Sequence, residues 1–325
     1  MLEAISRWVD DCVRTHSFCA AYNAPDDFVP KRLIKLDGNA RLVSPVAPVR
    51  YAALSYCWGL HKQPSTVKSN VAACYNSMDI SNFPNALRDA ILMTRKLGIS
   101  FVWIDSICIV QDDENDWATE AARMADVYSN AHVVLAATRA SGVSEGFLQS
   151  CTPSYNLSLH IDRKRSLEVQ ARRLWYHQDY YIAENLGNFP LSKRGWVLQE
   201  RLLATRTVHF LPDELVFECK SRIICECGIA RHPTNSTMTW PPTYGDAEKI
   251  PLASDVGFGR AWVSVVRSYS RLHLTYQSDL LPALSGIAQR TLSLRPGMYI
   301  AGIGYSPSSW QSLAGVDYDR HNVRL

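Results

Sequence analysis

Three short apolar runs constrain this chain more than anything else in it: YAALSY at 51–56, ISFVWI at 99–104 and HVVLAAT at 132–138. A strand with one wet face alternates apolar and polar residues, whereas a run that is apolar almost throughout suits a strand covered on both faces. Helix patterns separate the runs. Leu87, Ala90, Ile91, Thr94 and Leu97 recur at helical spacing behind Pro84, and Gly98 occupies the usual stop position. Trp117, Ala121, Met124 and Tyr128 do the same across 116–129. Buried strands alternating with capped amphipathic helices call for a doubly wound α/β sheet in which the three runs lie parallel. Ligands of such sheets sit beyond the carboxyl ends of the strands. Ser55–Gly59, Asp105–Cys108 and Thr138–Ser141 all fall there.

The flanks read less regularly. Residues 4–20 form an amphipathic helix, and 32–36 with 40–43 suit a short hairpin. Residues 142–190 read as an insertion that holds a second hairpin (158–161 with 167–171) and a polar, Tyr-rich loop. Residues 207–210 and 215–219 flank the four-residue connection Leu211–Glu214 of a third hairpin. A Pro/Thr/Ser-rich loop is expected over 229–256. Two helices follow, marked by Trp262, Val265, Val266 and Tyr269, then by Leu280, Leu284, Ile287 and Ala288 behind a Ser278 cap. The expected organisation is an N-terminal helix with a leading segment (1–48), an α/β core (49–228), and a C-terminal loop and helices packed on that core (229–325).

One helix carries the chemistry. RGWVLQERLL, 194–203, has no Gly or Pro beyond its Gly195 start, and on an isolated helix Trp196, Gln199, Glu200 and Leu203 share one side. A large aromatic thus stands beside a carboxylate.

Composition excludes several classes. The net charge of +3 comes without long basic clusters, so nucleic acid is not an expected partner. No apolar run approaches the roughly 20 residues a membrane span needs. The amphipathic N-terminus lacks the apolar stretch of a signal peptide. Nine cysteines, odd in number and scattered, fit a reducing compartment, so a cytoplasmic location is expected. Cys12, His16 and Cys19 lie on one stripe of the first helix, but structural zinc takes four ligands. Cys225 and Cys227 are spaced poorly to complete a set, so the stripe reads as a buried helix face and no metal is expected.

The segments YAALSYCWG, LGISFVWIDSICIVQDDENDW, EAARMADVYSNAHVVLAAT and RGWVLQERLL, in this order and spacing, closely resemble the fungal heterokaryon-incompatibility (HET) domain. The early C-x3-H-x2-C and the late SYSRLHLTYQSDLLPALSGIA are similar to the family too. The resemblance implies a trigger of programmed cell death when genetically different fungal cells fuse. Many members append a nucleotide-binding or repeat region; this sequence reads as having no room for one, so a stand-alone effector is expected. The same segments also resemble TIR domains, which implies a flavodoxin-like, mostly parallel sheet with helices on both faces, here with an insertion and an extra C-terminal hairpin and helices. Some TIR domains cleave NAD at its nicotinamide bond. A long insertion ahead of the Glu200 helix and the C-terminal region depart from that pattern.

Two chemistries follow. In the first, Glu200 binds a ribose and stabilises an oxocarbenium-like transition state, with NAD or a related nucleotide as substrate rather than cofactor. Ser55, Tyr56, Trp58, Gly59, Arg194, Trp196 and Gln199 form the binding set, with Tyr56, Trp58 or Trp196 stacking on a base. In the second, Cys108 is a catalytic nucleophile at a strand end, with Asp105 nearby and a His from elsewhere; it has no identifiable base, and a small buried group is the favoured reading of that residue. Asp105 has a competing role as a cap or as the ion-pair partner of Arg194 or Arg201. Three functions stay open: a nucleotide-hydrolysing death effector, a non-enzymatic signalling module acting by self-association, and an enzyme of fungal secondary metabolism built on the same scaffold.

Overall fold

The apolar runs become the centre of one mixed sheet. In the computed structural model, described over residues 1–21, 27–60, 63–149, 154–162, 165–172, 189–228, 231–233, 262–263, 265–294, 298–300 and 303–305, this sheet has nine strands. They are β1 (Leu33–Lys35), β2 (Arg41–Val43), β3 (Tyr51–Ser55), β4 (Phe101–Trp103), β5 (Val133–Ala136), β8 (Arg206–Phe210), β9 (Leu215–Cys219), β10 (Arg222–Cys225) and β11 (Arg231–Pro233). Their spatial order is β11-β10-β9-β8-β5-β3-β4-β1-β2. The strands β6 (Ser154–Asp162) and β7 (Arg165–Arg172) form a separate hairpin inside the expected insertion, and β12 (Met298–Ile300) pairs with β13 (Ile303–Tyr305). The Tyr-rich loop expected after β7 and most of the loop expected over 229–256 lie outside the described residues.

β3 pairs in parallel with β4 on one side and β5 on the other, as the apolar runs require. β3 and β5 are buried at every position. The strands are shorter than the apolar runs, with β3 ending at Ser55 and β4 at Trp103. The hairpin of β8 and β9 forms with the expected connection, but it is no appendage. β8 pairs in parallel with β5, so four parallel strands form the middle of the sheet, and antiparallel strands flank them on both edges.

The helices are α1 (Leu2–Thr15) and α2 (Ser17–Ala21) ahead of the sheet, α3 (Val71–Asn76), α4 (Asn85–Lys96), α5 (Asp105–Cys108), α6 (Glu114–Asn130) and α7 (Gly195–Leu203) between the parallel strands, and α8 (Pro282–Leu294) after β11. The chain steps from β3 to β4 in one direction and from β4 past β3 to β5 in the other. Right-handed crossovers therefore put α4 and α6 on opposite faces. The α4 stop is as expected, with Gly98 at φ +67. α5 replaces an expected loop; four residues are too few to carry periodicity. α8 begins at Pro282, later than the expected Ser278 cap. No helix among the described residues is long and apolar enough to cross a membrane.

α6, α7 and α8 pack together, and a second core (Leu198, Leu202, Leu203, Tyr269, Leu284, Ile287) joins them. Gly286 lets α8 approach closely. A Cβ there would lie 2.6 Å from Ala125 Cβ and 2.7 Å from Gln199 Oε1. Helix propensity favours Ala over Gly by about 1 kcal/mol, but overpacking against these atoms costs about 1–3 kcal/mol. Gly286→Ala is therefore expected to lower the midpoint of a urea melt; a rise would show that α8 sits less tightly than described.

Candidate functional site

The end of β3, the start of α5 and the first turns of α7 meet at the carboxyl edge of the parallel strands. Glu200, 4% exposed, faces Ser55. Its Oε2 is buried without a hydrogen-bond partner. Burial pushes its carboxyl up to about 7, against the pull of the Arg194 guanidinium and the Ser55 hydroxyl. Tyr128, whose hydroxyl donates to the Leu54 carbonyl at 3.1 Å, stands beside it. Arg194 leads α7 and donates to the Tyr56 carbonyl. Burial works against this cation, yet Glu200 and Asp105 outweigh it and raise its pKa.

Asp105 is a positioning group. Its Oδ2 accepts from Trp58 Nε1 at 2.8 Å and its Oδ1 from the Ser106 amide at 2.6 Å. Burial raises its pKa, while Arg194 and Trp58 oppose the rise. Asp105 is the first residue of α5 and not its cap, which is Ile104, and it interacts with Arg194 through charge. Trp58 is half-buried and held by that hydrogen bond, so its ring has a fixed direction.

Four other expected binding residues do different work. Tyr56 is fully buried, with its hydroxyl bonded to Gln63 Oε1 at 2.8 Å and Ser106 Oγ at 3.0 Å, so its ring offers no stacking face. Trp196 turns the other way and donates from Nε1 to Asp279 Oδ2 at 2.9 Å. Gln199 Oε1 accepts from the Gly286 amide at 3.1 Å, tying α7 to α8. Gly59, at φ +75, is needed for packing: a Cβ would lie 2.8 Å from Gly142 Cα.

Cys108 is a core residue. It is 0% exposed, and burial pushes its thiol up to about 12, the opposite of what a nucleophile needs. Alkylation of native protein at pH 8 should leave Cys108 unmodified, as peptide mapping would show. Cys108→Ala should cost on the order of 1 kcal/mol, a few degrees of melting temperature. Rapid labelling of native Cys108 would reverse that assignment.

A buried network beside Ser55 escapes a sequence reading. His209 Nδ1 lies 3.2 Å from Thr138 Oγ1, and its Nε2 lies 3.0 Å from Glu218 Oε2, which also pairs with Arg201 Nε at 2.7 Å. Burial opposes the Glu218 charge, but Arg201 and His209 hold the carboxyl well below its ordinary range. Ser55, Thr138, Arg201 and His209 help line a small pocket under the start of α7. The only sequence signal for it is the placement of Thr138 beyond a strand end.

The profile of the family described as heterokaryon incompatibility protein (HET) matches residues 51–200. The chain carries a HET domain. Its matched span opens at the first residue of β3, at the edge of the sheet away from the site, and closes at Glu200. Heterokaryon incompatibility protein 6, OR allele, of Neurospora crassa is 29% identical over 131 residues, which is 38% of this chain and 16% of that protein. The match thus spans a small part of the relative's length. No solved structure matches the chain.

Proposed function

We propose that this HET-domain protein is a cytoplasmic effector of incompatibility-type cell death that cleaves the glycosidic bond of NAD or a related nucleotide. One observation carries the reading: Glu200, at the carboxyl edge of a parallel sheet, has a buried, unpartnered carboxylate oxygen and a pKa near 7 beside Arg194. A group poised near neutrality suits proton transfer or a hydrogen bond to a ribose hydroxyl, and its negative form stabilises oxocarbenium charge. In this reading Arg194 meets phosphate and Trp58 stacks on a base. The fold supports the same reading. Taken in chain order, the four parallel strands lie second, first, third, fourth, the order of flavodoxin-like sheets, whose ligands bind between the first and third. TIR domains share that arrangement, and Ser55 ends the first of these strands.

Glu200 is closed to substrate in the conformation described, which suits an effector held silent until triggered. The test is nicotinamide release from NAD by the purified protein, together with killing on expression in fungal cells. Loss of both in Glu200→Gln at equal protein level is expected. Killing retained by Glu200→Gln would favour a module that acts by assembly, and turnover of a biosynthetic substrate without killing would favour a metabolic enzyme.

A further inference from the structure

Cys12, His16 and Cys19 face the end of β9, where Cys219 completes a set of four metal-ligating side chains. The four ligand atoms, three Sγ and one imidazole nitrogen, all lie within 4.8 Å of one another. His16 Nδ1 is 3.4 Å from Cys219 Sγ and 3.8 Å from Cys19 Sγ. Tetrahedral zinc with Zn–S near 2.3 Å and Zn–N near 2.0–2.1 Å needs ligand atoms about 3.6–3.8 Å apart. The observed separations bracket that figure, so the set needs little adjustment to close on an ion.

We propose that this cluster is a structural zinc site of Cys3His type. The local backbone builds it. α1 ends at Thr15, the following His16 is extended at φ −101 and ψ 90, and α2 restarts at Ser17. This break keeps Cys12, His16 and Cys19 on one side while letting the stripe bend around a centre. Cys12 and Cys19 are 0% exposed and Cys219 is 2% exposed, so the sulfur donors are shielded from water. Ser221 Oγ lies 3.3 Å from Cys19 Sγ and supplies an outer hydrogen bond. Binding releases three thiol protons to solvent and leaves a complex of net charge −1. Buried Lys220 and Arg206 are close enough to act on these thiols and offset that charge, and Arg206 Nε has no hydrogen-bond partner.

Four protein ligands close the coordination sphere, so the ion is a staple and not a catalyst. It joins the first helices to a strand 203 positions away in sequence. Cys225 and Cys227 do not belong to it; their sulfurs lie 3.0 Å apart beside Glu214.

The test is metal analysis of the full chain purified without added metal. About one zinc per chain is expected, falling below roughly one-tenth in Cys219→Ser and His16→Ala and unchanged in Cys74→Ser. Should those ligand variants fail to fold, the wild-type protein alone decides. Chelation should lower its melting temperature by on the order of 10 °C, restored by zinc, and cobalt should give the visible bands of a tetrahedral thiolate complex. Zinc retained at full level by Cys219→Ser overturns the assignment. So does a wild-type protein that holds no zinc and takes up cobalt without those bands.

Discussion

Glu200→Gln is expected to abolish most nicotinamide release and, at the same time, to make the protein relatively more stable as pH rises. Losing one electrostatic contact to the transition state costs about 3–4 kcal/mol, or roughly 10²–10³ in rate. The stability effect has its own sign. Below its ordinary 4.5 the carboxyl is protonated in both folded and unfolded chains. Between 4.5 and about 7 the folded state keeps a proton that the unfolded state has lost, and above 7 burial of the charged form costs its full amount. Wild-type protein therefore loses about 3 kcal/mol from this group between pH 4.5 and 8, and glutamine loses none. Melts of both proteins at pH 5 and pH 8 should show the difference moving in favour of the variant by several degrees. A shift in the opposite sense would mean that Glu200 is ionised throughout and serves only to pair Arg194.

The centre of the fold was legible because β3, β4 and β5 are apolar nearly throughout, and only a strand covered on both faces tolerates that. β8 was not legible as a central strand. Its sequence, RTVHF, carries Arg206, Thr207 and His209, and 207–210 read only as one arm of a hairpin. All three are buried, and two of them bond to other elements: the His132 carbonyl accepts from Arg206, and Thr138 and Glu218 hold His209. Polar residues disguise a central strand when their partners lie far off in sequence.

The candidate site divides in the same way. Ser55, Trp58, Asp105, Arg194 and Glu200 converge because strand ends and a helix start are visible in sequence. Trp196 and Gln199 were assigned to the same work on i, i+3, i+4 spacing, which describes the face of a helix with one neighbour. α7 has two: the sheet receives Glu200, and the segment around α8 receives Trp196 and Gln199. Cys219 lay beyond reach altogether, since no local pattern links it to a stripe at the other end of the chain.

Removal of the Asp116 carboxylate is expected to have the largest effect on stability. Asp116 pairs with Arg32, takes a second contact from Lys31 at 2.5 Å and accepts from the Val110 amide at 2.8 Å. Arg32 also donates from Nε to the Cys108 carbonyl at 2.5 Å. Burial raises the Asp116 pKa, but Lys31, the Val110 amide and Arg32 overcome it and hold the group ionised. This brace fastens the start of β1 to both ends of the segment between α5 and α6, and hence to the turn that carries Asp105. Asp116→Ala leaves the Arg32 guanidinium, 5% exposed, without its counter-charge. Orphaning one member of a buried pair costs about 3–5 kcal/mol, whereas replacing both by apolar groups of similar volume is often neutral. Asp116→Ala should therefore lower the melting temperature by on the order of 10 °C, at about 2–4 °C per kcal/mol. Arg32→Met combined with Asp116→Leu should recover most of that loss. A double-mutant cycle reads the coupling directly. Should Asp116→Ala cost under about 1 kcal/mol, the pair is hydrated in solution and the brace does not hold the Asp105 turn.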